Sequence, residues 1–215
     1  MSNTPTNSPP EPDEEPPSGD PSLSIGVRVD PGLVIPVGRE RLRAAVAAAA
    51  AAGGCSRGQI GLRVAGDEAI WQINRRHLGH DYPTDVISFP YRREPPEVEG
   101  ELVVSWETAE REAARLAREM PTSGWGAAEE LLLYTIHGVL HLVGYDDLER
   151  PSRRRMREAE RGVLERLGVV LPPLADPDAI ADPDAIDGPD AVGGPDAVGG
   201  PDRPSAALPP GGRRR

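Results

Sequence analysis

The sequence predicts an α+β fold: a small mixed β-sheet packed with about five helices, a histidine pair lying on a buried central helix. Three observations carry this expectation. Short alternating segments and longer segments of helical period interleave between residues 22 and 167. One helical segment, Leu131–Val143, reads LLLYTIHGVLHLV and is apolar on nearly every side, as a helix inside a core must be. Within it His137 and His141 stand at i and i+4, so both rings leave one face.

The elements follow in order. Ser22–Val29 alternates through Leu23, Ile25, Val27 and Val29 and reads as a strand. Gly38–Ala52 is Ala-rich and helical, stopped at Gly53-Gly54. Ile60–Val64 puts Ile60, Leu62 and Val64 on one strand face, and Asp67 is placed to cap a helix reaching His77. Val86–Tyr91 and Leu102–Ser105 read as strands, the first ended by Pro90 and followed by a Pro95-Pro96 loop. Ser105 is placed to cap a helix to Arg118, closed by Pro121; Gly126–Val143 and Ser152–Leu167 complete the helices.

This folded region spans residues 21–173. Residues 1–20 are Pro-rich and acidic, and residues 174–215 repeat Pro-Asp every six residues from Pro177 to Pro201; both are expected to be disordered tails. They also carry most of the charge. The whole chain has a formal charge of −11, which argues against nucleic acid. Yet residues 1–20 hold five acids and no base, and residues 174–215 hold eight acids and four arginines, leaving 22 acids against 20 arginines between them. A region that close to neutral excludes no nucleic-acid role. The single cysteine, Cys55, excludes a disulfide framework or a Cys-rich zinc site. No apolar run is long enough for a membrane span, and the acidic N-terminus lacks signal-peptide features, so a cytoplasmic protein is expected.

The chemistry concentrates at the end of the apolar helix. His137 and His141 are followed by Gly144, a helix terminator, and by Tyr145, Asp146 and Asp147, a His-x3-His-x5-Asp pattern. Zinc suits it, because catalytic zinc sites take imidazole and carboxylate from three protein ligands and keep one position open. A turn at Gly144 lets the chain double back to supply the third ligand from Asp147, with Asp146 the competing choice.

These residues carry a resemblance. HGVLHLVGYDD is similar to the signature of the YbeY family of bacterial endoribonucleases, His-Gly-x-Leu-His-Leu-x-Gly-Tyr-Asp-His. Asn74-Arg75 with Asp81–Pro90 (DYPTDVISFP), and Gly100–Ser105 (GELVVS), resemble two further family blocks in the same order, so the likeness covers roughly residues 22–170. It implies one Zn2+ held by His137, His141 and Asp147, and cleavage of single-stranded RNA in maturation of the 16S rRNA 3′ end and in ribosome quality control, with the small ribosomal subunit as partner. Asp147 stands where the family has its third histidine, Leu78 where it has arginine, and His80 where it has lysine. Arg75 and Arg76, with His80, are then the candidates to supply catalytic cations, and Asp85 to orient water or a ligand histidine. Ser88 reads as structural.

Arg153, Arg157 and Arg161 fall at i+4 steps and offer a phosphate track, against which Glu149–Arg153, Arg154–Glu158 and Arg161–Glu165 read as ion pairs on a wet face. Trp71, Trp106 and Trp125 read as core. Two rival functions are set aside or kept. The His-x3-His-x2-Gly-x2-Asp spacing is also that of a metzincin-like metallopeptidase, but Gly138 occupies the position of the catalytic Glu. A non-catalytic, zinc-containing ribosome-associated factor is the other alternative.

Overall fold

The structure, a computed structural model, describes residues 22–78 and 81–172. The two tails and His80 lie outside the described residues. The elements run β1 (Leu23–Val29), α1 (Arg39–Ala52), β2 (Arg57–Ala65), α2 (Asp67–Leu78), β3 (Val86–Glu94), β4 (Glu97–Ser105), α3 (Trp106–Glu119), α4 (Ala127–Leu142) and α5 (Arg150–Arg166). The strands form one mixed sheet in the order β1-β2-β4-β3. Helix α1 crosses from β1 to the parallel β2, with Val27 opposite Leu62. Strand β4 is parallel to β2, with Leu62 opposite Leu102, and β3 folds antiparallel onto β4 with Ser88 opposite Leu102.

Alternation along the strands sends neighbouring side chains to opposite faces. Ile60, Leu62, Val64, Leu102 and Val104 meet α1 and α4 in the main core, where Leu42, Val46, Ile136, Val139 and Leu140 are fully buried. Each such aliphatic side chain contributes about 1.5–3 kcal/mol relative to exposure. On the other face Ala65, Ile87 and Val103 form a smaller cluster with Ile70, Ala69 and Ile73 of α2. Helix α4 packs against α1, α3, α5, β3 and β4, the central place its composition demands.

Gly138 sets how closely α4 lies on the sheet. A Cβ there would stand 2.7 Å from Val86 Cγ2 and 2.9 Å from Leu102 Cδ1. The close approach lets Ser88 Oγ donate to the Gly138 carbonyl at 2.9 Å, the structural role expected of that serine.

Some boundaries move. Strand β3 runs past Pro90 to Glu94 through an irregularity between Pro90 and Arg92; it is an edge strand, so a missing N–H on its outer side is tolerated. Ser105 caps α3, its Oγ accepting from Thr108 N at 3.2 Å, worth about 1 kcal/mol. Asp67 is the first residue of α2, and its carboxylate is turned to α3 rather than to its own helix. It accepts from Ser105 Oγ, Thr108 Oγ1 and Arg111, tying the end of β4 to two helix starts. Burial works against that charge, but Ser105, Arg111 and Thr108 outweigh it and hold the carboxyl below its ordinary pKa.

Candidate metal centre

The two histidines emerge half-buried from the last turns of α4, with their Nε2 atoms 3.0 Å apart. The helix then stops at Gly144, whose φ of +100° favours glycine. Gly144 N donates to the His141 carbonyl at 3.0 Å and Tyr145 N to the Leu140 carbonyl at 2.9 Å, the paired closing bonds of a Schellman motif. Val143 is the C-cap residue and Gly144 follows it. This reversal returns Asp147 to the imidazoles. Its oxygens lie 3.9 Å from His137 Nε2 and 3.8 Å from His141 Nε2.

The donor set fits a small tetrahedral cation. With zinc–ligand bonds of roughly 2.0–2.1 Å, neighbouring donors would stand about 3.3 Å apart. The three separations bracket that value, and the remaining ring nitrogens are occupied in the sense a ligand histidine needs. His137 Nδ1–H donates to Glu160 Oε1 at 2.6 Å, and His141 Nδ1–H to the Tyr145 carbonyl at 3.2 Å. With the proton on Nδ1, each Nε2 presents its lone pair to the common point. Asp146, the competing third ligand, has an Oδ1 that accepts from Leu148 N at 3.2 Å and serves the turn. Among the described residues His137, His141 and Asp147 form a group able to hold a metal ion.

Burial disfavours a charged His137, but Glu160, then Asp85 and Asp147, outweigh it and keep its pKa above the ordinary value. That electrostatic preference for a cation in the ring also favours a cation placed at Nε2.

A cavity of about 240 Å³ opens beside the donors, lined among others by Asp85, Tyr134, His137, Asp147, Arg153 and Arg157. Asp85 sits just before β3. Its Oδ1 accepts from Thr84 Oγ1 and from Val86 N, both at 2.9 Å, so the carboxylate is fixed where it faces the cavity. Behind Tyr134 lies Glu130, 5% exposed, which accepts from Trp125 Nε1 at 2.5 Å. Burial pushes the Glu130 carboxyl up, while its bonds from Trp125 and Tyr134 pull it back.

Arg75 and Arg76 are placed elsewhere. Both are exposed on α2, which packs on the sheet face opposite α4. Arg75 lies over the Trp71 ring, 5.5 Å from its centroid, and Arg76 lines a separate hollow with Arg63 and Gln72. Trp106 and Trp125 are core residues, as their positions suggested; Trp71 is only half-buried and donates from Nε1 to Asp81 at 3.1 Å.

Glu160 was not foreseen. Its signal was an acid in the apolar stripe Met156, Glu160, Val163 and Leu164 of α5, which only a buried partner explains. Removing it with Glu160→Ala should leave the donors in place yet weaken metal binding roughly 10–100-fold. Competition with a chromophoric chelator measures this, and unchanged affinity would show that the carboxylate does not orient His137.

A helical histidine pair closed by a carboxylate from the following turn, beside an open cavity on an α+β scaffold, defines a protein with a candidate metal centre in the three-donor pattern of catalytic sites. The family profile described as Endoribonuclease YbeY matches residues 38–168. The chain belongs to the YbeY family. It is 50% identical over 141 residues to the Endoribonuclease YbeY of Rhodopirellula baltica, covering 66% of this chain and 70% of that one. It is 46% identical over 103 residues to that of Chlorobium phaeovibrioides (48% and 64% covered) and 36% identical over 119 residues to that of Desulforamulus reducens (52% and 73%). The solution structure of a Thermotoga maritima protein aligns with 74% of this chain and 97% of its own at a TM-score of 0.45 and 23% identity.

Proposed function

We propose that this protein is a zinc-dependent, single-strand-specific endoribonuclease that acts in the cytoplasm on rRNA, at the 16S 3′ end and in ribosome quality control, with the small ribosomal subunit as partner. The observation that carries the reading is the convergence of His137 Nε2, His141 Nε2 and Asp147 on one point at the wall of a cavity. Family membership and the relatives named Endoribonuclease YbeY support RNA as the substrate. When bound, zinc supplies a Lewis acid for a phosphate oxygen and for water activation.

The chain's own residues do the rest. Glu160 and the Tyr145 carbonyl hold the two imidazoles in the Nδ1–H tautomer. Asp85, fixed through one oxygen, lines the cavity and is placed to orient water or accept its proton. Arg75 and Arg76, exposed on α2, are left to meet phosphates outside the cavity. Peptide hydrolysis through a glutamate at position 138 has no room here, since even a Cβ would press on Val86 and Leu102.

Purified full-length protein should cleave a short single-stranded RNA, lose that activity to a chelator and regain it with zinc. His141→Ala should reduce cleavage at least ~10³-fold. Equal cleavage by wild type and variant would assign the activity to a contaminant.

A further inference from the structure

The cavity beside the metal donors has a charge problem that α5 solves. Three carboxylates face it or bound it: Asp85, Asp147 and Glu160. A divalent metal ion alone would leave that wall at −1, and a phosphodiester carries another negative charge. Such a site would repel its substrate in the low dielectric of a half-buried cavity. Two arginines line the same cavity, Arg153 and Arg157, one helical turn apart on α5. With them and a divalent ion the wall reaches +1, enough to neutralise one phosphodiester.

Both arginines are half-buried, which sets them apart from the other basic residues of the helix. Arg154, Arg155 and Arg161 are exposed and none of them lines this cavity. The i+4 pattern therefore divides. Its first two members turn toward the metal donors and the third toward solvent. Glu160, one turn beyond Met156, holds His137, so the face of α5 that carries the arginines is the face already fixed against the metal helix. The guanidinium groups thus sit on a rigid element, and a planar fork of N–H donors matches a phosphate oxygen pair.

We propose that Arg153 and Arg157 form the phosphate-binding wall of the metal cavity and hold the RNA backbone at the phosphate next to the metal. This rests on the endoribonuclease reading and names the residues through which that site grips its substrate. It is distinct from the bond-breaking chemistry, because the two arginines act as fixed cations whether or not the metal is present.

The test measures binding of a fluorescein-labelled, nuclease-resistant 2′-O-methyl single-stranded RNA to the zinc-loaded protein by anisotropy, across a salt series. Arg153→Gln/Arg157→Gln is compared with Arg154→Gln/Arg161→Gln, which removes the same charge from exposed positions of the same helix. The cavity pair should weaken binding at least ~10-fold at low salt and lower the salt slope by about 0.7, the value for one phosphate contact on a single strand. The control pair should change each far less, and Arg153→Lys/Arg157→Lys should restore the slope. Undiminished zinc content in the cavity pair would show that the fold is intact. Equal losses in the two pairs, or an unchanged slope in the cavity pair, would overturn the proposal. Wild type that binds with this pattern but never cleaves RNA when loaded with zinc would sink the endoribonuclease reading and leave the phosphate wall standing. Wild type that cleaves, with the cavity pair binding as tightly, would do the reverse.

Discussion

Purified protein carrying His137→Ala should retain less than about a tenth of the wild-type zinc, because the two donors left, His141 and Asp147, cannot close a three-donor site. Asp147→Ala should lose most of its zinc as well, while Asp147→His, which replaces a carboxylate by another competent donor, should keep it. Elemental analysis after gel filtration decides the matter. The size of the effect follows from the geometry. His137 is the donor with the strongest outer support, at 2.6 Å from Glu160, and it faces both His141 and Asp147. Deleting it also leaves the Glu160 carboxylate, 9% exposed, without its buried partner. Undiminished zinc in both alanine variants would refute the assignment of these ligands.

Gly144→Val should damage fold and metal site together. A β-branched residue at a φ of +100° is strained wherever the space permits it, at a cost of about 2–3 kcal/mol. Its Cβ would also fall on the guanidinium of Arg93, 2.1 Å from Cζ; Arg93 can swing aside, so the backbone cost is the part that persists. The same turn carries the Tyr145 carbonyl that holds His141 and leads directly to Asp147. Zinc affinity should therefore fall by roughly tenfold or more, as for other losses of ligand support, beyond the shift in the denaturation midpoint. A variant that is destabilised but binds zinc normally would show that the turn shapes the fold without shaping the site.

Much of this architecture could be read from the residues, and the misses have physical causes. Strand β4 begins at Glu97, five residues before its apolar start at Leu102, because its inward position at 100 is a glycine. A Cβ there would meet Leu142 Cδ2 at 2.9 Å, so packing removed the side chain that alternation depends on. Strand β2 likewise begins at Arg57, whose neighbours Gly58 and Gln59 give no apolar signal. The grouping of His137, His141 and Asp147 was legible because all three stand within one helix turn and one reversal. Asp85 was legible only as a residue of a familiar block, and the structure sets it at the cavity. The support for His141 comes from a main-chain carbonyl, which no residue type encodes. Arg75 and Arg76 looked near the chemistry along the chain, but strand alternation puts their helix behind the sheet.

The short span of the donors has a consequence for how the protein comes to be folded. His137, His141 and Asp147 arrive together in one helix and its closing turn, whereas Glu160 and Asp85 reach the site only when α5 and the sheet have docked. An incompletely folded chain already owns the three donors and the Tyr145 carbonyl that aims His141, but not the carboxylate that aims His137. Metal should therefore be held loosely early in folding and firmly at the end, and the difference between the two affinities is free energy given to the docking of α5.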